Sequence, residues 1–253
     1  MPLVIIKNVW DYCTYNKPFF LLVLLLYGVL SYTFDWYSST SSNWIIAIVL
    51  IIAITITGYG MTITRDRINN GIRLPKILVK DVLVLGVKST IVFAIYIYIQ
   101  GCILDMVCSP LAFPSFELEE MLLDLPHTLN LLYTHNPLHA MIFVVVGGIL
   151  FYTSSFFMEI ALARLADTGS ILTAFNLREI KRNIDSIGWL HYTKEYTLLV
   201  IALVIFSFAS YADILDILNY IWFVLLSFLG FATQYLGIGA IYSEIKEKEQ
   251  INQ

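Results

Sequence analysis

The chain has 253 residues, of which 58% are hydrophobic and only 13% are charged. Ordinary soluble domains carry about 25% charged residues, so this composition argues against a soluble protein and predicts a membrane protein. The formal net charge of −4 excludes a general electrostatic attraction to nucleic acid, and no nucleic-acid partner is expected.

Six apolar segments follow one another along the chain, each near the roughly 20 residues that cross ~30 Å of hydrocarbon. Because lipid cannot satisfy open backbone groups, we expect every segment to be an α-helix. The predicted fold is an all-α polytopic membrane protein, with residues 1–253 forming one six-span transmembrane domain. The predicted spans are 18–34, 44–64, 81–104, 138–163, 196–212 and 219–242.

The 15 lysines and arginines all lie on one side of these spans. They occur before the first span and after the second, fourth and sixth, and Lys88 lies just inside the third. The other three connections contain neither residue type. Because basic loops resist translocation, the pattern predicts a multi-pass protein of the cell membrane with both termini in the cytoplasm.

A short basic amphipathic segment precedes each pair of spans: VIIKNVWDYC, then GIRLPKILVKDV, then NLREIKRNIDSIGW. We predict that all three are helices lying at the cytoplasmic membrane surface. In the third segment Asn176 and Glu179 fit a helix cap and Gly188 fits the stop. Its apolar stripe comprises Leu177, Ile180, Ile184 and Ile187. The segments predict three repeat units of two spans each, at 3–67, 68–169 and 170–248.

The long outer connection, 105–137, has apolar residues at helical spacing and predicts a broken helix on the outer membrane surface. It also gathers acids and histidines, namely Glu120, Asp124, His127, His135 and, just beyond it, His139. A metal or hydrolytic centre is one interpretation of this outer cluster, and a polar interfacial loop is the other. Because the H-E-x-x-H spacing is missing, we favour the polar loop and expect no metal and no cofactor.

Three motifs resemble a family of archaeal multi-pass membrane proteins known only as a domain of unknown function. They are the run GYGMTITRDRINNGIRLPKI, the turn ALARLADTG and the segment AFNLREIKRNIDSIGW. The resemblance extends from about Lys7 to Tyr242. It implies a membrane location and a helical fold, and it implies no activity, substrate or catalytic residue.

Lys88 and Glu159 are the sharpest polar feature inside the predicted spans. Lys88 lies eight residues past Lys80, which is ~12 Å along a helix. Glu159 lies five residues before Arg164 on the antiparallel fourth span. The two charges therefore reach similar depth and form a candidate intramembrane ion pair. A structural pair and a gate or proton-linked site both remain open, and we favour the structural role.

Small residues in the spans predict close helix packing. The candidates, with one amide that can bond between helices, are Gly58, Gly60, Gly147, Gly148, Gly230, Gln234 and Gly237. Packing within the chain is the favoured interpretation, and contact with a second copy is the alternative. Among the cysteines, Cys13 is expected to be a free thiol. Cys102 and Cys108 fit either a disulfide or two free thiols.

No catalytic residue is assigned, and three functions are compatible with these patterns. The first is a non-enzymatic membrane scaffold or accessory subunit, whose partners would be lipid, another membrane protein or a second copy. The second is a small-solute or ion transporter that uses the region of Lys88 and Glu159. The third is a membrane enzyme that uses the outer cluster. We favour the scaffold, because no catalytic constellation with defined spacing is present.

Overall fold

The computed structural model describes residues 2–38, 43–108, 134, 136–210 and 218–251. Within these residues all regular secondary structure is helical and no strand occurs. The described helices are, in chain order, α1 (Pro2–Thr14), α2 (Lys17–Ser38), α3 (Asn43–Ile68), α4 (Val79–Cys108), α5 (Pro137–Thr168), α6 (Ile171–Ala174), α7 (Leu177–Ile187), α8 (Trp189–Ser210) and α9 (Leu218–Ile251).

Four of the described helices contain segments that are long and apolar enough to cross a membrane. These segments are Val79–Met106, Ala140–Thr168, Trp189–Ser210 and Asn219–Gln250. A fifth span results if Asn8–Thr14 and Lys17–Leu30, which meet at a bend of 98°, count as one. The all-α prediction is confirmed, and the described residues contain four or five candidate spans by length and composition.

The chain divides into two compact units. The first contains residues 1–90 and 159–253, and the second contains residues 91–158. Each unit therefore contains a part of α4 and a part of α5. Every site described below lies in the first unit, and the three-repeat organisation remains a prediction.

Helix α9 is the centre of the first unit, where it contacts α1, α2, α3, α7 and α8. In its most apolar stretch 56% of the residues are buried, against 28% for α8. Phe228, Ala232 and Ile245 on α9 are fully buried. The described helices also expose large apolar side chains such as Leu25 and Phe208, which fits contact with lipid.

Two of the three basic amphipathic segments are helices, and the prediction of a helix for the second segment is wrong. Residues 71–78 contain no helix, although α1 and α7 form over the first and third segments. Pro75 explains the difference, because proline lacks an N–H and disfavours the helical conformation of the residue before it. Asn70, with φ of 60°, turns the chain out of α3 before this segment begins.

Helix α7 begins and ends where the sequence predicts. The Asn176 side chain accepts a hydrogen bond from the Glu179 N–H at 3.2 Å, and Gly188 follows the last turn with φ of 88°. Ile180 and Ile184 are fully buried against the bundle, as the stripe predicts. Leu177, at the first helical position, is instead 65% exposed.

Backbone contact between α3 and α4 explains the glycine at position 58. A Cβ at Gly58 would meet the carbonyl oxygen of Val82 and the backbone of Gly86. A Cβ at Gly60 would meet the ring of Tyr235 on α9. These two glycines lie at close helix contacts, where a larger side chain would force the helices apart.

The other predicted packing glycines divide into two groups. A Cβ at Gly237 would lie 2.6 Å from Leu199, and one at Gly230 would lie 3.2 Å from Phe206, so both glycines face α8. By contrast, a Cβ at Gly147 or Gly148 would meet no described atom within 4 Å.

The cysteines described by the structure are free thiols. Cys13 is buried in the first unit and Cys102 is exposed in the second. The side chain of Cys108 lies outside the described residues.

Candidate functional site

Two basic side chains cap the carboxyl end of α5. The Lys88 Nζ donates a hydrogen bond to the Gly169 carbonyl oxygen at 2.6 Å, and the Arg65 Nε donates one to the Ala166 carbonyl oxygen at 2.6 Å. The last carbonyl groups of a helix have no partner within it and carry a partial negative charge. A cation at such an end stabilises it by about 0.3–1 kcal/mol. Lys88 and Arg65 therefore fasten α4 and α3 to the end of α5.

A second group of charged and polar side chains joins α5, α7 and α9. Arg164, only 9% exposed, donates from Nη1 to the Asn183 Oδ1 at 2.6 Å and from Nε to the Thr173 carbonyl oxygen at 3.2 Å. The Asn183 Nδ2 donates in turn to the Glu249 Oε1 at 2.9 Å. Arg164 also lies 3.8 Å from the Glu179 carboxylate. Each buried polar group here has a partner, as burial requires.

Arg182 completes this group, which we call the paired cluster. It forms an ion pair with Glu179 one helical turn away and lies 3.9 Å from Glu249 on α9. The members of the paired cluster are Arg164, Glu179, Arg182, Asn183 and Glu249. Its side chains hold the surface helix α7 against the ends of α5 and α9.

Further ion pairs surround the paired cluster along the last turns of α9. The Lys246 Nζ lies 2.9 Å from the Asp167 carboxylate at the end of α5. Glu244 accepts from Lys248 at 3.0 Å and contacts the His191 ring at 3.0 Å. The carboxylates on this side of α9 thus have cationic or polar partners on neighbouring turns and helices.

Lys88 and Glu159 are not brought together as the predicted ion pair. Lys88 bonds to the carbonyl of Gly169, whereas the Glu159 Oε1 accepts from the Gln234 Nε2 on α9 at 3.2 Å. Glu159 is only 7% exposed. Its second carboxylate oxygen, Oε2, has no hydrogen-bond partner among the described residues.

A cavity of about 500 Å³ opens between α1, the end of α3, α8 and α9. Its volume falls within the range of roughly 300–1,000 Å³ that is typical of small-molecule sites. Charged and aromatic side chains line one part of it: Asp11, Tyr12, Tyr15, Arg67 and Glu195. The cavity is therefore an amphipathic space at the basic ends of the helices.

Apolar side chains line the other part of the cavity. Leu199 of α8 and Leu236 of α9 are both buried, and Thr233 beside them is only 1% exposed. Thr233 lies near the middle of the 34-residue α9. The cavity thus extends from the surface helix α1 toward the centre of a candidate span.

The carboxylates that line the cavity are unpaired. The carboxylates of Asp11 and Glu195 make no hydrogen bond or ion pair with another described residue. The Arg67 Nη1 reaches the Gly71 carbonyl oxygen at 3.5 Å and no described carboxylate. Two unpaired negative charges and one positive charge thus line the same space.

Sequence reasoning did not identify Asp11 or Glu195 as site residues. The available signal was their place beside basic residues, since the predicted topology puts both acids on the side of the spans that carries the lysines and arginines. Glu195 directly precedes the predicted fifth span, and Asp11 lies in the first amphipathic segment. Only the packing of α1 against α8 and α9 places them around one cavity.

The outer cluster lies outside the described side chains. Residues 120, 124, 127 and 135 are not described, and for His139 the structure gives only a backbone position in α5. Within the described part of the chain, no group of three histidine, cysteine, aspartate or glutamate side chains is placed to hold a metal ion.

Comparison with known proteins finds a match to a protein family. No curated protein and no solved structure matches the chain. A family model described as "Protein of unknown function (DUF4013)" matches residues 44–242, which extend from the start of α3 to the last turns of α9. The match covers well over half of the chain and confirms the resemblance to a family of unknown function, while an archaeal origin stays a prediction. The chain belongs to the DUF4013 family.

Proposed function

We propose that the chain is a non-enzymatic scaffold or accessory subunit of the cell membrane, with six spans and with both termini in the cytoplasm. α2 and α3 would supply the first two spans, and α4, α5, α8 and α9 the other four. The confinement of all 15 lysines and arginines to one side supports this orientation. The exposed apolar helix faces would contact lipid.

The bonding partners of Lys88 and Arg164 carry this proposal. Lys88, the one base predicted within a span, bonds to a helix-end carbonyl, and Arg164 is enclosed by the paired cluster. These hydrogen bonds fix helix ends in place, which is a structural use of both cations. A rigid frame at the membrane surface suits a protein that organises partners.

The proposal is tested by measuring the mass of the assembly in native lipid. The full chain would be extracted from membranes into polymer-bounded discs without detergent and weighed by mass photometry and native mass spectrometry. A scaffold or accessory subunit is expected to appear with a stoichiometric second chain, either its own copy or another membrane protein. A lone chain in every disc would contradict the proposal.

A matched pair of variants on α5 sharpens this experiment. Gly148→Leu adds a side chain where no described atom lies within 4 Å, on the small-residue face that a second helix could approach. Val145→Leu adds bulk at a neighbouring exposed position of the same helix. If the glycine face forms the contact, only Gly148→Leu is expected to reduce the assembly to single chains.

A transporter is the second candidate, and Glu159 is the observation that favours it. A buried carboxylate oxygen without a partner is rare, and ionisable residues within spans often mark ion or proton paths. Glu159→Gln keeps the shape of the side chain and removes its proton exchange. A transporter would show solute-driven proton flux in proteoliposomes that this variant abolishes, whereas a scaffold would show none in either form.

A further inference from the structure

The cavity between α1, α3, α8 and α9 carries an inference that goes beyond the scaffold role. We infer that it is a binding site for an amphipathic organic cation, meaning an ammonium group on a short apolar body. The class of ligand follows from three features of the lining: unpaired carboxylates, aromatic rings beside them, and an apolar inner part.

The unpaired carboxylates supply the charge preference. Asp11 comes from α1 and Glu195 from α8, so the two acids approach the cavity from different helices. By contrast, Glu244 and Glu249 on the last turns of α9 are paired, the first with Lys248 and the second with Asn183. A cationic ligand would give Asp11 and Glu195 the partner that the described residues do not provide. Opposite charges in contact at a protein surface attract each other more strongly than they would in bulk water.

The aromatic rings favour an ammonium over a small inorganic cation. Tyr12 and Tyr15 line the same space as Asp11, and ring faces attract organic cations. The Tyr12 hydroxyl donates to the Asp66 Oδ2 at 2.7 Å, which anchors its ring to the end of α3. The cavity wall is thus partly fixed before a ligand arrives.

The inner part of the cavity accommodates the apolar body of the ligand. Val9, Leu199 and Leu236 are buried side chains that line it. A volume of about 500 Å³ leaves room for a short alkyl or aryl group beside the charged head. A purely polar cation would leave this apolar part without a partner.

Arg67 is the one feature of the cavity lining that favours an anionic ligand. The two carboxylates near it oppose the binding of an anion. Its guanidinium reaches the Gly71 carbonyl, and an anion bound beside it would also face Asp11 and Glu195. Repulsion from two carboxylates opposes the single favourable charge. An anion is therefore the alternative that the experiment must exclude.

An ammonium could come from a soluble amine or from the headgroup of an amine-bearing lipid. Both sources share the chemistry that the cavity recognises. The cavity is lined by the surface helix α1 and reaches α9 near its middle, so either source has a plausible route to it. Two arms of one experiment distinguish them.

The experiment measures binding of butyltrimethylammonium to the full chain in discs of phosphatidylglycerol, a lipid without an amine. Saturable binding is expected by isothermal titration calorimetry after subtraction of empty discs. Asp11→Asn and Glu195→Gln should each weaken it by about tenfold or more, because each removes a negative charge that attracts the cation. Ala240→Phe, which places a ring at the exposed edge of the cavity, should block it without removing a charge.

Matched controls separate local recognition from general charge. Asp81→Asn and Glu247→Gln remove the same charges from exposed positions outside the cavity and should leave the affinity within about twofold. Equal losses in the controls and in the cavity variants would overturn the inference. So would binding of inorganic phosphate that Arg67→Gln abolishes, since that result would assign the cavity to anions.

The source of the cation is resolved by adding phosphatidylethanolamine to the discs. Competition with butyltrimethylammonium supports a lipid headgroup as the natural ligand, and unchanged binding supports a soluble amine. No saturable binding in either kind of disc would contradict the inference. The scaffold role is judged from assembly mass, so each proposal can fail while the other stands.

Discussion

The paired cluster and the cavity lie at the same end of the first unit, on different faces of α9, and they treat charge in opposite ways. In the paired cluster Arg164 is almost fully buried and bonds to Asn183 and to a backbone carbonyl. Around the cavity, Asp11 and Glu195 contact no described partner. Burial explains the first arrangement, because a buried charge without partners is costly. Unpaired carboxylates cost little free energy only where they face solvent or an open cavity. The cavity is therefore the better candidate for a ligand-binding site.

The largest expected effect is the loss of the paired cluster. Arg164→Met should destabilise the protein by about 3 kcal/mol, because it leaves the Asn183 Oδ1 and the Thr173 carbonyl oxygen without the donors that satisfy them. Equilibrium unfolding in mixed micelles would measure the change. Lys181→Met is the control, since Lys181 is 68% exposed and solvent screens its pairing with Asp185, so its loss should leave the stability nearly unchanged. Similar losses in both variants would show that burial does not distinguish the two charges.

Removal of the helix cap at Lys88 should have the next largest effect. Lys88→Met breaks the hydrogen bond to the Gly169 carbonyl and is expected to cost about 1.5–2 kcal/mol. Glu159→Gln in the same background tests the partner assignment. Because the two side chains have different partners, the two losses should add to within about 0.5 kcal/mol. A coupling energy well above that value would show that Lys88 and Glu159 interact after all.

A smaller effect is expected from pH at the surface of α7. Hydrogen bonds from the Trp189 Nε1 and from Lys181 lower the pKa of Asp185 below its ordinary value. A carboxylate whose pKa is lower in the folded state stabilises that state above the unfolded pKa and loses the contribution as the pH falls. The stability of the unchanged chain relative to Asp185→Asn should therefore decrease below about pH 4. If the free energy of unfolding of the two proteins depended on pH in the same way, Asp185 would not have the lowered pKa described here.

The smallest expected effect is on the stability of the cavity variants. Asp11→Asn combined with Glu195→Gln should change the free energy of unfolding by about 0.5 kcal/mol or less, because neither carboxylate has a described partner to lose. Chemical unfolding of the double variant beside Arg164→Met would show the contrast directly. A loss above about 2 kcal/mol would mean that the cavity acids support the fold.

Helix positions were predictable from sequence because apolar length and caps are local signals. The described residues of each of the six predicted spans lie within a helix, and Asn176 and Gly188 bound α7 as expected. The prediction of a helix for the second amphipathic segment was wrong, because Pro75 disfavours a helix even where the apolar residues have helical spacing. Because Pro75 is visible in the sequence, the absence of a helix over this segment is itself predictable from sequence.

The partners of the charged side chains were less predictable, because depth along a helix does not specify a contact. Lys88 and Glu159 match in predicted depth, yet Lys88 donates its hydrogen bond to the Gly169 carbonyl oxygen. Because every residue has a backbone carbonyl, the sequence gives no signal for such a partner. Likewise Asp11 and Glu195 are 184 positions apart and share a cavity only through the packing of α1. Sequence patterns identify which charges are unusual, whereas tertiary packing decides what they touch.

The contrast between paired and unpaired charge is tested most directly by thermal unfolding with and without butyltrimethylammonium. A ligand that binds only the folded state raises the unfolding midpoint as its concentration exceeds Kd. The unchanged chain and Lys181→Met should both show this rise. The Asp11→Asn/Glu195→Gln double variant should unfold at the same temperature as the unchanged chain without ligand and show no rise with it. A double variant that keeps the rise, or that is unstable without ligand, would contradict the account.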